Sequence, residues 1–142
     1  MNLRKKGFTL VEIMIVVAII VLLAAIAIPN LLRARLSANE ATTIAAMRTL
    51  STAMESYRAA QSPPTYPGNL TDLNSSSPPY IDSVLASGVK GGYNYTYASN
   101  GTAMYTVVAV PSQANITGVR TFFVDQSGVV RVGNSSAGTP IE

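Results

Sequence analysis

The sequence predicts an α+β protein: a long N-terminal α-helix, kinked near Pro29, whose C-terminal half packs on a small antiparallel sheet of three to four strands. Three observations predict it. An apolar run from Ile13 to Ile28 follows the stretch Gly7-Phe8-Thr9-Leu10-Val11-Glu12. Helical periodicity continues beyond that run, with Ile44, Met47, Leu50, Met54 and Tyr57 recurring at three- and four-residue spacing. Short alternating segments bounded by Gly, Pro and Asn then fill the C-terminal third.

Residues 1–7 form a leader that carries Arg4, Lys5 and Lys6. Residues 8–28 form a hydrophobic helix. At ~1.5 Å rise per residue it is long enough to cross a hydrocarbon core of ~30 Å. Glu12 is the one carboxylate in it. A carboxylate in lipid costs about 2.5–3.5 kcal/mol on insertion scales, so it needs a partner or a purpose. A cut after Gly7 would give Phe8 a new α-amino group, four residues before Glu12 on the same helical face. That amine could pair with Glu12 of its own chain or of a neighbour, and spacing alone does not choose between them. Pro29 removes a backbone donor and crowds the preceding turn, which predicts a kink or local melting near Ala25 to Pro29. The plainer alternative is a break where the span leaves the membrane.

Residues 29–60 read as an amphipathic helix. Its apolar stripe is core seeking a surface, with Arg48, Glu55 and Arg58 opposite and Asn39 and Glu40 a little earlier. Residues 61–92 are rich in Pro, Gly and Ser and read as a loop, with short helical turns around Leu70 to Leu73 and Tyr80 to Leu85. Residues 93–132 read as the sheet: strands at Tyr93 to Tyr97, Met104 to Val110, Arg120 to Asp125 and Val129 to Val132. The turn signal Asn100-Gly101 and the other short connections imply an antiparallel meander with one face on the helix stripe. Tyr93, Tyr95 and Tyr97 share one strand face. Tyrosine is favoured on such half-buried surfaces, so they read as core before they read as a stacking platform. Residues 133–142 read as a flexible tail.

Composition narrows the function. Three of the ten Lys and Arg lie in the leader, leaving seven against the chain's seven Asp and Glu. The body is neutral and offers no electrostatic nucleic-acid surface. The leader cations mark the cytoplasmic side of a span, with the rest exported; Arg33 and Arg35 weaken that asymmetry without reversing it. There is no Cys, so disulfides do not hold the exported part, and no His, which removes the commonest general base. The carboxylates stand singly at 12, 40, 55, 72, 82, 125 and 142, and no phosphate loop, zinc spacing or serine elbow occurs. Asp125-Gln126-Ser127-Gly128 has a faint look of a cation loop, but one acid is too few for Ca²⁺. The reading is not an enzyme, with no metal and no cofactor. Asn-x-Ser/Thr tripeptides begin at Asn69, Asn74, Asn94, Asn100, Asn115 and Asn134, mostly as chance in a Ser/Thr/Asn-rich chain. An ordinary signal peptide, cut at Ala25-Ile26-Ala27, fits less well: the apolar core is longer than the usual 7–15 residues and begins with an acid. A plain single-span anchor is a further alternative.

Lys6-Gly7-Phe8-Thr9-Leu10-Val11-Glu12, the apolar run, and then Leu23-Ala24-Ala25-Ile26-Ala27-Ile28-Pro29 resemble the N-terminus of type IV pilins and type II secretion pseudopilins. The match covers about residues 4–30, and leader, cut site, Phe and Glu are all present. The resemblance implies the pilin fold, cleavage between Gly7 and Phe8 by a prepilin peptidase, and N-methylation of Phe8 by the same enzyme. It implies an assembly salt bridge from Glu12 to the Phe8 amine in a helical homopolymer, and a bend at Pro29. Implied partners are further copies of the chain, the inner-membrane assembly machinery, and membrane lipid before assembly. The protein is expected in the inner membrane first, in a single pass with the leader cytoplasmic, and then in an extracellular pilus serving motility, adhesion or DNA uptake. Many such pilins have a C-terminal disulfide, from which this chain departs. Pseudopilins tend to have an acid-lined calcium site near the C-terminus, and its lack here favours the pilin. The rivals are a pseudopilin of a periplasmic pseudopilus and a membrane-anchored binding domain that never polymerises.

Overall fold

A computed structural model describes residues 7–141. The leader cations Arg4, Lys5 and Lys6 lie outside the described residues. Contacts divide the chain into an N-terminal unit, through Ala34, and a C-terminal unit from Arg35 onward.

The first helix, α1, runs Leu10–Ala60. Its residues in the N-terminal unit are exposed almost throughout, including Leu10, Ile13, Ile19, Ile20, Leu22 and Ile28. Helical structure continues through Pro29, so residues 25–29 do not melt locally.

In the C-terminal unit the stripe takes its expected place. Met47, Leu50 and Met54 are fully buried, and Ile44 and Tyr57 pack at the edge of the core. Two short helices follow: α2, Leu70–Ser75, and α3, Ser83–Ala86. Asn69 caps α2 in a reciprocal capping box with Asp72, and the Asp82 carboxylate caps α3 by accepting from Leu85 N at 2.7 Å. Leu70, Leu73 and Leu85 tuck under this loop region and extend the core.

The sheet has six strands, not three to four, in simple antiparallel order: β1 Val89–Lys90, β2 Tyr93–Ser99, β3 Tyr105–Pro111, β4 Phe122–Asp125, β5 Arg131–Val132 and β6 Thr139–Pro140. The two extra strands lie in segments read as loop and tail. Each is two residues long and exists because a glycine turn folds it onto a neighbour. Gly91 and Gly92, both at positive φ, return β1 onto β2. Gly138 allows the last return: a Cβ there would lie 2.2 Å from the Val132 carbonyl oxygen. Such strands are too short to show a period.

Register fixes the faces. Tyr95, Ala109 and Phe122 align on the core side, as do Tyr97, Val107 and Val124. Tyr93 and Tyr95 are core side chains, which is the blander of the two readings of the tyrosine trio. The loop after β3 folds over Tyr93 so closely that a Cβ on Gly118 would lie 2.0 Å from its hydroxyl oxygen.

Candidate functional site

Gly7, Phe8 and Glu12 lie together at the start of α1, and Pro29 lies far along the same helix. The local reason for the start is Thr9. Its hydroxyl accepts from Glu12 N at 3.2 Å, while Glu12 Oε2 accepts from both Thr9 N and Thr9 Oγ1 at 2.8 Å. This is a reciprocal capping box, which satisfies amides that the first helical turn leaves without partners. It was legible as Thr-x-x-Glu before an apolar run. The box aims the carboxylate of Glu12 back toward the helix start, onto Thr9.

Phe8 is 85% exposed, and its nitrogen is here a peptide N–H rather than an amine. A Cβ added at Gly7 would meet nothing within 4 Å. The fold therefore places no packing demand for glycine at that position. From Ile13 to Ile28 the side chains are apolar and almost all outward, and the helix is long and apolar enough to cross a membrane by length and composition.

The C-terminal unit holds a second polar constellation, which sequence reasoning placed on the solvated side. Glu40 is only 9% exposed. Its Oε1 accepts from Val119 N and Arg120 N, each at 3.1 Å, and its Oε2 accepts from Arg120 Nε at 2.8 Å. The guanidinium also forms a 2.8 Å ion pair with it. One turn position away, Asn39 Nδ2 donates to Thr117 O at 2.8 Å. Burial works against the ionised carboxylate, but the two amides and the guanidinium outweigh it and hold the Glu40 carboxyl below its ordinary value. No sequence signal pointed to this latch, because its partners are about 80 residues distant. It ties helix to loop and has the character of a structural clamp.

Asp125 spends its carboxylate on its own turn, accepting from Ser127 N at 2.9 Å and from Ser127 Oγ at 2.5 Å. Among the described residues no group of three or more His, Cys, Asp or Glu is placed to hold a metal.

Comparison with known proteins bears on the N-terminal site. A family model described as the prokaryotic N-terminal methylation motif matches residues 2–28. The type IV major pilin protein PilA of Myxococcus xanthus is 46% identical over 56 residues, 39% of this chain and 26% of the relative. The type IV wide pilus major component PilA4 of Thermus thermophilus is 66% identical over 35 residues, 25% of this chain and 27% of the relative. The N-terminal segment of this chain is therefore similar to that of type IV major pilins. The match to either pilin spans about a quarter of that relative's length. A second family model, described as a protein of unknown function (DUF2950), matches residues 81–138, from before α3 to the approach to β6, and brings no activity with it. No solved structure matches the chain.

Proposed function

We propose that this chain is a pilin, a structural subunit of a type IV pilus filament, assembled through its hydrophobic N-terminal helix. One observation carries the reading: a stretch of apolar side chains that its own fold leaves outward, with a single carboxylate held at its N-terminal end. Apolar surface of this extent needs a covering medium. Lipid supplies it first, and the same stretch of other copies supplies it in the fibre. Moving between the two exchanges one apolar surrounding for another, so hydrophobicity alone sets no stagger.

Glu12 sets the stagger. A prepilin peptidase cuts between Gly7 and Phe8 and methylates Phe8. The freed amine then competes with the Thr9 box for the Glu12 carboxylate. A neighbour whose Glu12 arrives without that partner leaves a charge unpaired in an apolar interior, which is strongly unfavourable. The C-terminal unit carries whatever the fibre does in motility, adhesion or DNA uptake. The pilin names of both relatives favour this over a secretion pseudopilin.

Glu12→Val tests it. The variant inserts into membranes as well as the parent or better, and yields no fibres on electron micrographs of sheared cells. Wild-type amounts of fibre from the variant would contradict the proposal.

A further inference from the structure

We propose that the outward face of the sheet carries a carbohydrate-binding cleft that takes one neutral sugar ring, with Asp125 accepting from its hydroxyls and Asn100 donating to them. The cleft holds about 390 Å³. That lies near the lower end of the about 300–1,000 Å³ of small-molecule sites. All its residues belong to the C-terminal unit, so the inference stands whether or not the chain polymerises.

Strand register builds the floor. Ala98 pairs with Thr106, and Thr106 with Asp125, which makes one row across β2, β3 and β4. The neighbouring row of Tyr97, Val107 and Val124 packs in the core, so this row faces away from it. The outer face of such a sheet is ordinarily solvated. Here Asp125 is only 8% exposed, and Phe123, on the same face, only 6%. Asn100, in the turn after β2, and Ser136, between β5 and β6, line the cleft from either side of them.

The polar groups left over select the ligand. Asp125 uses one carboxylate oxygen, Oδ1, on Ser127. Its Oδ2 has no hydrogen-bond partner among the described residues. A carboxylate nine-tenths buried with one oxygen free calls for a donor. Asn100 is the converse. Its Oδ1 accepts from Ala103 N at 3.1 Å and from Met104 N at 2.9 Å, which leaves its Nδ2 as a donor. One wall therefore accepts and the other donates. An ammonium group only donates, and finds nothing in Asn100. A phosphate or carboxylate only accepts, and meets the charge of Asp125. A hydroxyl does both. Adjacent hydroxyls on a sugar ring answer both walls, while Ala98 and Phe123 offer its C–H groups an apolar floor.

The test uses the full, nitrogen-labelled chain in micelles of a detergent without a sugar headgroup. It is titrated with the methyl glycosides of galactose, glucose, mannose and N-acetylglucosamine, and separately with methylammonium and inorganic phosphate. At least one glycoside is expected to bind saturably in the millimolar range. The readout is the NMR shift of the Asn100 side-chain amide and the Ser127 backbone amide; the two ions are expected to shift neither. Asp125→Asn and Asn100→Asp each keep the Oδ1 acceptor that the local turn uses and reverse the polarity of one wall. Each is expected to weaken glycoside binding about tenfold or more. Because they change opposite walls, a variant that fails to fold leaves the other to decide. No shift with any glycoside, glycoside shifts indifferent to the substitutions, or shifts produced by methylammonium or phosphate would overturn the proposal.

Discussion

The two units of this chain use apolar residues in opposite ways. From Phe8 to Leu32, large aliphatic side chains point outward and touch little of their own chain. From Ala46 onward, the same kinds of residue close a core: Met47, Leu50, Met54, Leu73, Val107, Phe122 and Val124 are all inaccessible. The units also differ in how they handle polar groups. The first confines its carboxylate to a capping box at its very start. The second threads hydroxyls and charges through its interior: Tyr105 donates to Ser51 Oγ at 3.1 Å, Tyr97 to Pro67 O at 2.7 Å, and Glu40 grips the loop at Val119 and Arg120. Hydrophobicity by itself says nothing about where burial comes from. One unit supplies its own, and the other leaves its apolar side chains outward.

The comparison breaks most visibly at Leu50 against Ile20. Leu50→Ala removes a fully buried side chain and is expected to cost the C-terminal unit about 2–5 kcal/mol in denaturant unfolding. Ile20→Ala removes an outward one and is expected to leave that transition where it was. Equal shifts from both would mean that the outward residues are already covered within the chain.

Next is Glu40→Gln, expected to cost about 1–3 kcal/mol, since it weakens the hold on two amides and leaves the Arg120 guanidinium without its charge partner. The same group sets an acid dependence. Its folded-state pKa lies below the ordinary value of 4.5, so its contribution is complete above that value and is lost as pH falls through the folded-state pKa. Urea midpoints measured from pH 6 downward should fall in the parent, and fall less in the variant.

The smallest effects separate two tyrosines. Tyr105→Phe removes a hydrogen bond to Ser51 and should cost about 1 kcal/mol. Tyr95 has a buried hydroxyl with no hydrogen-bond partner among the described residues, so Tyr95→Phe should be neutral or slightly stabilising. Burial pushes the Tyr105 hydroxyl up to about 12. A raised value means its contribution holds below the ordinary 10.0 and fades as pH climbs toward 12. Alkaline unfolding curves should show that fading in the parent and less of it in Tyr105→Phe.

Much of this was legible in the residues. The apolar stretch, the stripe from Ile44 to Tyr57 and the three longer strands announce themselves by period and by turn residues. The Thr9–Glu12 box was equally open to view. Glu40 was not: a charged residue beside an apolar stripe looks solvated until a loop from elsewhere in the chain closes on it. The strands at Val89–Lys90 and Thr139–Pro140 were hidden for a different reason. Their pairing is imposed by the glycine turns beside them, and two residues carry no pattern.

The central claim is that Gly7–Phe8 is a cut, and that the segment beginning there is made to be covered by others. The mass of the N-terminal peptide from native fibres or membranes tests it most directly. The account predicts a peptide that begins at Phe8 and carries one added methyl group. A functional chain that retains Met1, or one whose mature end is Ile28 or Asn30, would contradict it.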